Sequence, residues 1–535
     1  MKNKIEVLDV TLRDGGCVNN FNFGSSYISQ IVCALEESNV NIIELGYIDE
    51  KEGTASGRTK YDSIDAISSN VLTRKKPGTL YLAMIDYGKY DVRKLPPRSG
   101  KTIDGIRLAF HKKDRKAMLQ TGRIILDKGY QLFVQPMLTL HYTENELQDL
   151  ISDIKSSLSE STAFYIVDSF GEMRPHELSR IVEIVDRAVP ASIKIGFHSH
   201  NNLQLSYALA ISLITKSIDH ALILDASIMG MGKGAGNLCT ELLLDHLNIF
   251  TSSTYNIIPL LRIIDKVIRI LHQETPWGYS TEFYLSSINH CSPSYASYFY
   301  NKQMLAIDQV GELLSKISPK KAISFDRSYA EELYYKYHSE ISFDDISSIQ
   351  NLGESITGNE VLLIAPGKSI ATHEQQIQTF LSNPKIVSIS LNNNKFITNY
   401  ILITRPDFLV DSSSPLKSKV IITSRLANTP IDNALIIDYY KWTTHSSRVH
   451  DSSAIIALNL LKRLKASRVY LAGFDGFSPD INCNYFDPAM RRTIIPSQAN
   501  MRNKLYKDAI AEFNAQIPIS FVTPSIYQLP KEPSY

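Results

Sequence analysis

From the start of the chain to about residue 250, short β-branched runs alternate with longer stretches of helical spacing. Parallel strands covered by helices produce that alternation. Eight runs read as strands: 5–11, 41–47, 79–85, 104–110, 130–138, 163–169, 192–198 and 220–226. Between them apolar residues recur three and four apart, as in Tyr27, Ile28, Ile31, Val32 and Leu35. Eight strands in some 250 residues is the count of a TIM (β/α)8 barrel, although a doubly wound open sheet gives the same rhythm.

The pattern then changes. Residues 251–350 read as a helical extension, opening with IIPLLRIIDKVIRIL and passing through the tyrosine-rich SPSYASYFY. The strand–helix rhythm restarts at EVLLIAPGKSI (360–370) and recurs in KIVSISLN, YILITRPDF, KVIITSR, NALIIDY and SRVYLAGFDG. The expected fold class is therefore α/β throughout, with a barrel over 1–250, the helical extension over 251–350 and a Rossmann-like α/β domain over 351–535.

Composition narrows the function classes. The 535 residues carry 56 basic and 55 acidic side chains, a formal charge of +1. No global field draws such a chain to nucleic acid or to an anionic membrane. No apolar stretch approaches the roughly 18 residues of a membrane span, and the N-terminal run is too soon charged for a signal-peptide core. Cys17, Cys33, Cys239, Cys291 and Cys483 are scattered without a CxxC pair, which argues against a disulfide framework or zinc knuckle. A cytoplasmic protein is expected, and a homo-oligomer stays open.

Chemistry-bearing residues gather at three strand ends. LDVTLRDGG ends the first strand with Arg13 and Asp14; GFHSHNN ends the seventh with His198 and His200; DASIMGMGKGAGN follows the eighth and ends at Asn237. Side chains alternate along a strand, so an HxH pair turns both imidazoles to one face, as two ligands of one metal require. In a closed barrel, strands seven, eight and one are neighbours, and active sites lie at their carboxyl ends. Asp14, His198, His200 and Asn237 could therefore converge on one divalent ion, with Mn²⁺, Mg²⁺, Co²⁺ or Zn²⁺ suited to the donors. Such an ion polarises a carbonyl and stabilises an enolate, and Arg13 is placed to hold the oxyanion. Two histidines and one carboxylate also suit an iron oxygenase, but those usually occupy an antiparallel β-fold.

TLRDG, HxHNN and GxGxGAGN followed by Glu241, in this order, resemble the DRE-TIM metallolyases, which include hydroxymethylglutaryl-CoA lyase, isopropylmalate synthase and 4-hydroxy-2-oxovalerate aldolase. The resemblance covers roughly residues 5–320. It implies a divalent metal on Asp14, His198 and His200 with Asn237 completing the shell, and Arg13 on the substrate's oxo acid or enolate. Glu44, Arg107, His111 and Asp168 match pocket positions, and WGYSTEFYLSS is similar to the aldolases' segment with a substrate-facing tyrosine, Tyr279 or Tyr284. In those aldolases a histidine general base stands where this chain has Cys17, and a thiol replaces it only if its pKa is lowered.

The resemblance implies a carbon–carbon lyase taking a 2-oxo acid such as pyruvate and an aldehyde. The DGGxVNN form of the first motif is similar to a subgroup found among bacterial surface-polysaccharide functions. The alternatives are a Claisen-type acyltransferase using acetyl-CoA, and a non-catalytic barrel whose activity lies in the C-terminal domain. That domain resembles the nucleotide-sugar-binding half of bacterial sialyltransferase-type glycosyltransferases. Its PGKS turn (366–369) precedes a helix whose N-terminus could receive phosphate, Asp475 in GFDG reads equally as a capping residue, and His445 and His450 are candidate bases.

Overall fold

The computed structural model describes residues 4–72, 74–302, 305–340, 343–405, 408, 416–429, 431–443, 452–490, 494 and 496–528. His445 and His450 lie outside the described residues. The chain forms two compact units, Met1–Ala296 with Ala322–Ser324, and Ser297–Lys321 with Phe325–Tyr535.

In the first unit the strands are β1 (Ile5–Asp9), β2 (Ile42–Ile48), β3 (Lys60–Tyr61), β4 (Leu80–Asp86), β5 (Gly105–Phe110), β6 (Gln131–Pro136), β7 (Ala163–Asp168), β8 (Lys194–Ser199) and β9 (Leu222–Ala226). They follow the order β1-β9-β8-β7-β6-β5-β4-β2, and a parallel β1–β2 pairing closes the ring. The eight runs read from the sequence are the eight barrel strands, and the closure excludes the open sheet. The two-residue β3 is an addition that pairs with β2 outside the ring.

Alternation along the strands divides the core. One cluster gathers Leu8, Ile42, Leu82, Phe133, Ala163, Tyr165 and Ile223, one face of the strands, and fills the barrel interior as this fold requires. The opposite faces, with Val7, Ile43, Tyr81, Ile106 and Ile195, pack with the surrounding helices. Those helices are amphipathic at the expected spacing: Ser25–Glu37 buries Ile28, Ile31, Val32 and Leu35. Glu144–Ser157 begins with a full capping box between Thr143 and Glu146.

The 251–350 stretch is shared between the units rather than standing as one extension. Helices Ile258–Ile263, Arg269–Glu274 and Thr281–Ile288 fall in the first unit; Ile307–Ser315, Arg327–Ser339 and Ile346–Ile356 fall in the second.

The second unit holds seven parallel strands, β10 (Glu360–Ile364), β11 (Ile386–Leu391), β12 (Tyr400–Ile403), β13 (Lys419–Thr423), β14 (Leu435–Ile437), β15 (Arg468–Ala472) and β16 (Ile519–Phe521), in the order β14-β13-β12-β11-β10-β15-β16. Val361 and Leu363 enter one apolar cluster, Leu362 and Ile364 the other, so β10 is buried on both faces. Strands run outward from β10 to one edge and resume on its other side with β15. The order therefore reverses between β10 and β15, where open α/β sheets form a crevice at their carboxyl ends.

Among the described residues, no helix is long and apolar enough to cross a membrane.

Candidate active site

The three motifs meet at the carboxyl ends of β1, β8 and β9. After β1 the chain turns sharply, the amides of Arg13 and Asp14 both donating to the Val10 carbonyl. His198 is the penultimate residue of β8 and His200 follows its end. The ligand-capable atoms of Asp14, His198 and His200 lie within 4.8 Å of one another, and all three residues are buried. The two imidazoles stand perpendicular, ring centres 5.2 Å apart.

Each imidazole is held through Nδ1. His198 Nδ1 meets Asp225 Oδ2 at 2.8 Å and His200 Nδ1 meets the Lys233 carbonyl at 3.0 Å. Nε2 is left as the atom that could meet a metal, the arrangement in which an outer partner sets the tautomer and orientation of a metal-binding histidine. Burial lowers the His200 pKa to about 4 despite the nearby Asp14 carboxylate, so its lone pair is available at neutral pH. The Arg13 guanidinium and both histidines overcome burial and hold Asp14 well below the carboxylate range.

The glycine-rich loop is shaped around Asp14. A Cβ on Gly232 would sit 2.7 Å from Asp14 Oδ2 and 2.3 Å from Asn237 Nδ2, and Gly236, at φ +85°, passes too close to the Gly230 carbonyl for any side chain. Asn237 Nδ2 donates to Asp14 Oδ2 at 2.8 Å, while its Oδ1 is buried without a hydrogen-bond partner. A buried orphan oxygen is costly unless something completes it. Beside a carboxylate and two imidazoles, a divalent cation fits that role. Glu241 holds the loop from behind, its carboxylate accepting from the Met229 amide at 3.0 Å.

Below the ligands runs a closed chain of alternating charge. Arg13 Nη1 donates to Asp14 Oδ1 and Arg13 Nε to Glu44 Oε2, each at 2.7 Å. Glu44 Oε1 pairs with Arg107 Nε at 3.0 Å, Arg107 Nη1 bonds Asp225 Oδ2, and Asp225 returns to His198. Arg107 also donates to Gln135 at 2.8 Å and lies over the Tyr165 ring. Burial opposes these charges, but Asp225 and Glu44 outweigh it and raise the Arg107 pKa.

Glu44 and Arg107 match pocket positions, yet both are fully buried, and these contacts direct their charges at neighbouring side chains. Arg13 and Arg107 each keep a buried Nη2 without a hydrogen-bond partner, but Arg13 stands beside Asp14 at the carboxyl end of β1.

Asp168 accepts the amides of Glu172 and Met173, closing the turn after β7, and burial raises its pKa to about 7. Half-buried His111 begins the turn after β5, its pKa lowered chiefly by burial against the pull of Asp86. Cys17 is exposed, yet desolvation by the surrounding protein and the Asp14 carboxylate push the thiol up to about 12, the opposite of the lowering a thiolate base needs. Tyr279 and Tyr284 are both exposed. Trp277 fastens their segment to the loop by donating from Nε1 to the Met229 carbonyl at 2.9 Å, and no hydrogen bond or ring contact described here joins Tyr279 to the ligands.

Sequence reasoning missed Asp225, which interrupts an apolar strand as a buried charge that must be paired.

In the second unit the expected phosphate receiver is already filled. Asp475 accepts the Ser369 amide at 2.6 Å and also bonds its hydroxyl, which reaches Thr523 at 2.8 Å. The helix that follows is only Ser369–Thr372. Asp475 caps that turn, so the amide is not free for phosphate.

An HMGL-like family model matches residues 122–265. A 4-hydroxy-2-oxovalerate aldolase of Geobacillus thermodenitrificans (strain NG80-2) is 28% identical over 253 residues, 46% of this chain and 71% of that protein. Another, of Thermomicrobium roseum, is 29% identical over 248 residues, covering 45% and 67%. The carboxyl transferase domain of Rhizobium etli pyruvate carboxylase, solved with oxamate and biotin, superposes with a TM-score of 0.50 at 12% identity over 66% of this chain and 65% of that one; it bears on fold alone. Together with the motifs, the family match and the aldolase relatives support a DRE-TIM metallolyase N-terminal part.

Proposed function

We propose that the barrel is a divalent-metal-dependent carbon–carbon lyase or aldolase acting beside the carbonyl of a 2-oxo acid, through a pyruvate-like enolate. The observation that carries this reading is the buried Asp14, His198 and His200 group with the orphaned Asn237 Oδ1 beside it. The aldolase relatives agree with it. A divalent cation held by these four residues, Mn²⁺ in our reading, would supply Lewis-acid polarisation of the 2-oxo group.

The chain's own residues do the rest. Arg13 stays charged, its plane set by Glu44 and Asp14, and its free Nη2 is the donor for the developing enolate oxygen. Glu44, Arg107 and Asp225 act as supports. They hold Arg13 and His198 in place from beneath, so that little reorganisation accompanies the reaction.

The test is metal content together with decarboxylation of oxaloacetate, which forms the same enolate without an aldehyde. Wild-type protein should bind about one equivalent of Mn²⁺ per chain and decarboxylate. The double variant His198→Ala with His200→Ala should lose both. Equal metal content in the two proteins would refute the reading.

A further inference from the structure

Residues 277–290 are fastened at both ends to turns on the carboxyl side of the barrel, by groups outside the metal-binding set. At the start, Trp277 Nε1 donates to the Met229 carbonyl at 2.9 Å, in the turn after β9. At the end, the Ser287 hydroxyl donates to the Phe170 carbonyl at 2.6 Å, in the turn after β7, and His290 Nδ1 meets Glu172 Oε2 at 2.6 Å. The strands lie in the order β9-β8-β7. The two fastenings therefore flank β8, which carries His198 and, just past its end, His200. Asn202 ties the same loops to one another: its Nδ2 donates to the Phe170 carbonyl and its Oδ1 accepts the Ala235 amide, each at 2.9 Å.

The sequence builds this path locally. The Trp277 carbonyl is taken by His272 at 3.0 Å, and Gly278, at φ +119°, turns the chain there. The helix Thr281–Ile288 follows, and His290 ends the segment at φ +50°. Glu172 is a two-sided anchor. Its buried carboxylate holds His290 with Oε2 and meets His141 Nε2 with Oε1, also at 2.6 Å. A carboxylate only accepts, so each imidazole gives it an N–H. The inner side is braced: Asp168 accepts the Glu172 amide, Lys112 donates to the His141 carbonyl, and the His141 ring stands edge-on to Phe170. The outer side faces water, the His290 side chain being 71% exposed.

We propose that residues 277–290 form a strap across the carboxyl end of β8, and that Glu172, by holding His290, fixes this strap as the wall against which the 2-oxo acid binds. Glu172 and His290 are positioning residues that act on the acid through the strap. The role in binding the acid rests on the metal-dependent lyase reading; the fastening of the strap does not.

The test follows amide hydrogen exchange of the full-length protein by mass spectrometry, beside oxaloacetate decarboxylation by the Mn²⁺-loaded protein. His290→Ala removes the exposed fastening and leaves Glu172 paired with His141. Amides within 278–290 should exchange about 10-fold faster, the equivalent of one hydrogen bond to an ionised group, while β8 and β9 keep wild-type rates. KM for oxaloacetate should rise about 10-fold with kcat within about twofold, the signature of lost binding rather than lost chemistry, and bound Mn²⁺ should stay at the wild-type level. Ser287→Ala, which suits the helix, should move both readouts the same way. His290→Asn should restore them, because its amide can donate to Glu172 and asparagine tolerates a positive φ. Unchanged exchange across 278–290 in His290→Ala, faster exchange there with an unmoved KM, or faster exchange spread through the barrel strands would each overturn the proposal. A wild type that neither binds Mn²⁺ nor decarboxylates would instead remove the metal reading, and the strap's role in binding the acid with it.

Discussion

The two units present the same kind of edge, a parallel sheet with loops at its carboxyl ends, and use it in opposite ways. At the barrel mouth, charged groups converge from distant strands and leave atoms unspent: Arg13 Nη2 and Asn237 Oδ1 are buried without partners. At the β10–β15 crevice, Asp475, Ser369 and Thr523 satisfy one another, and Gly367 packs so closely that a Cβ would meet the Gly473 carbonyl at 2.2 Å. Topology puts loops at both places. Unspent hydrogen-bonding capacity alone does not separate the two, since Asn393, whose Nδ2 donates to the Ile364 carbonyl at the end of β10, also keeps a partnerless Oδ1; what the barrel mouth adds is a carboxylate and two imidazoles whose ligand-capable atoms lie within 4.8 Å of one another.

Three substitutions sharpen that contrast. Arg13→Lys keeps the charge but removes the planar fork, and should lower oxaloacetate turnover by about 100-fold while bound Mn²⁺, measured by elemental analysis, stays near the wild-type level. Asp225→Asn weakens the hold on His198 and strips Arg107 of a counter-charge. Metal affinity by competition with a chelator should fall about 10- to 100-fold, and chemical unfolding should show a loss of about 3 kcal/mol. Asp475→Ala, in the closed crevice, should cost about 1–2 kcal/mol in the unfolding of the second unit and leave decarboxylation unchanged. A loss of decarboxylation there would break the contrast, because the crevice would then matter to the barrel's chemistry.

The barrel was legible in the sequence because eight β-branched runs of five or more residues alternate with amphipathic helices, and periodicity survives any tertiary detail. β3 and β16, of two and three residues, are too short to carry a period. The convergence of Asp14, His198, His200 and Asn237 was legible because HxH needs only the two-residue repeat of a strand, and Asp14 and Asn237 sit at strand ends that closure must bring together. Asp225 was not, because its meaning depends on Arg107, 118 residues away, and no local pattern encodes that pairing. The division of the 251–350 stretch was illegible too, since helix periodicity says which face is apolar and nothing about which body covers it.

The ring of charges beneath the ligands has a consequence for the order of events. Its three carboxylates, Asp14, Glu44 and Asp225, outnumber its two guanidinium groups, Arg13 and Arg107, by one. Within this ring the carboxylates leave one negative charge in excess, and a doubly charged cation held beside Asp14 would invert that sign. Coulomb attraction in so enclosed a place is far stronger than in water. If the proposed function holds, the ion would load first, and the oxo acid would bind the charge-inverted site after it.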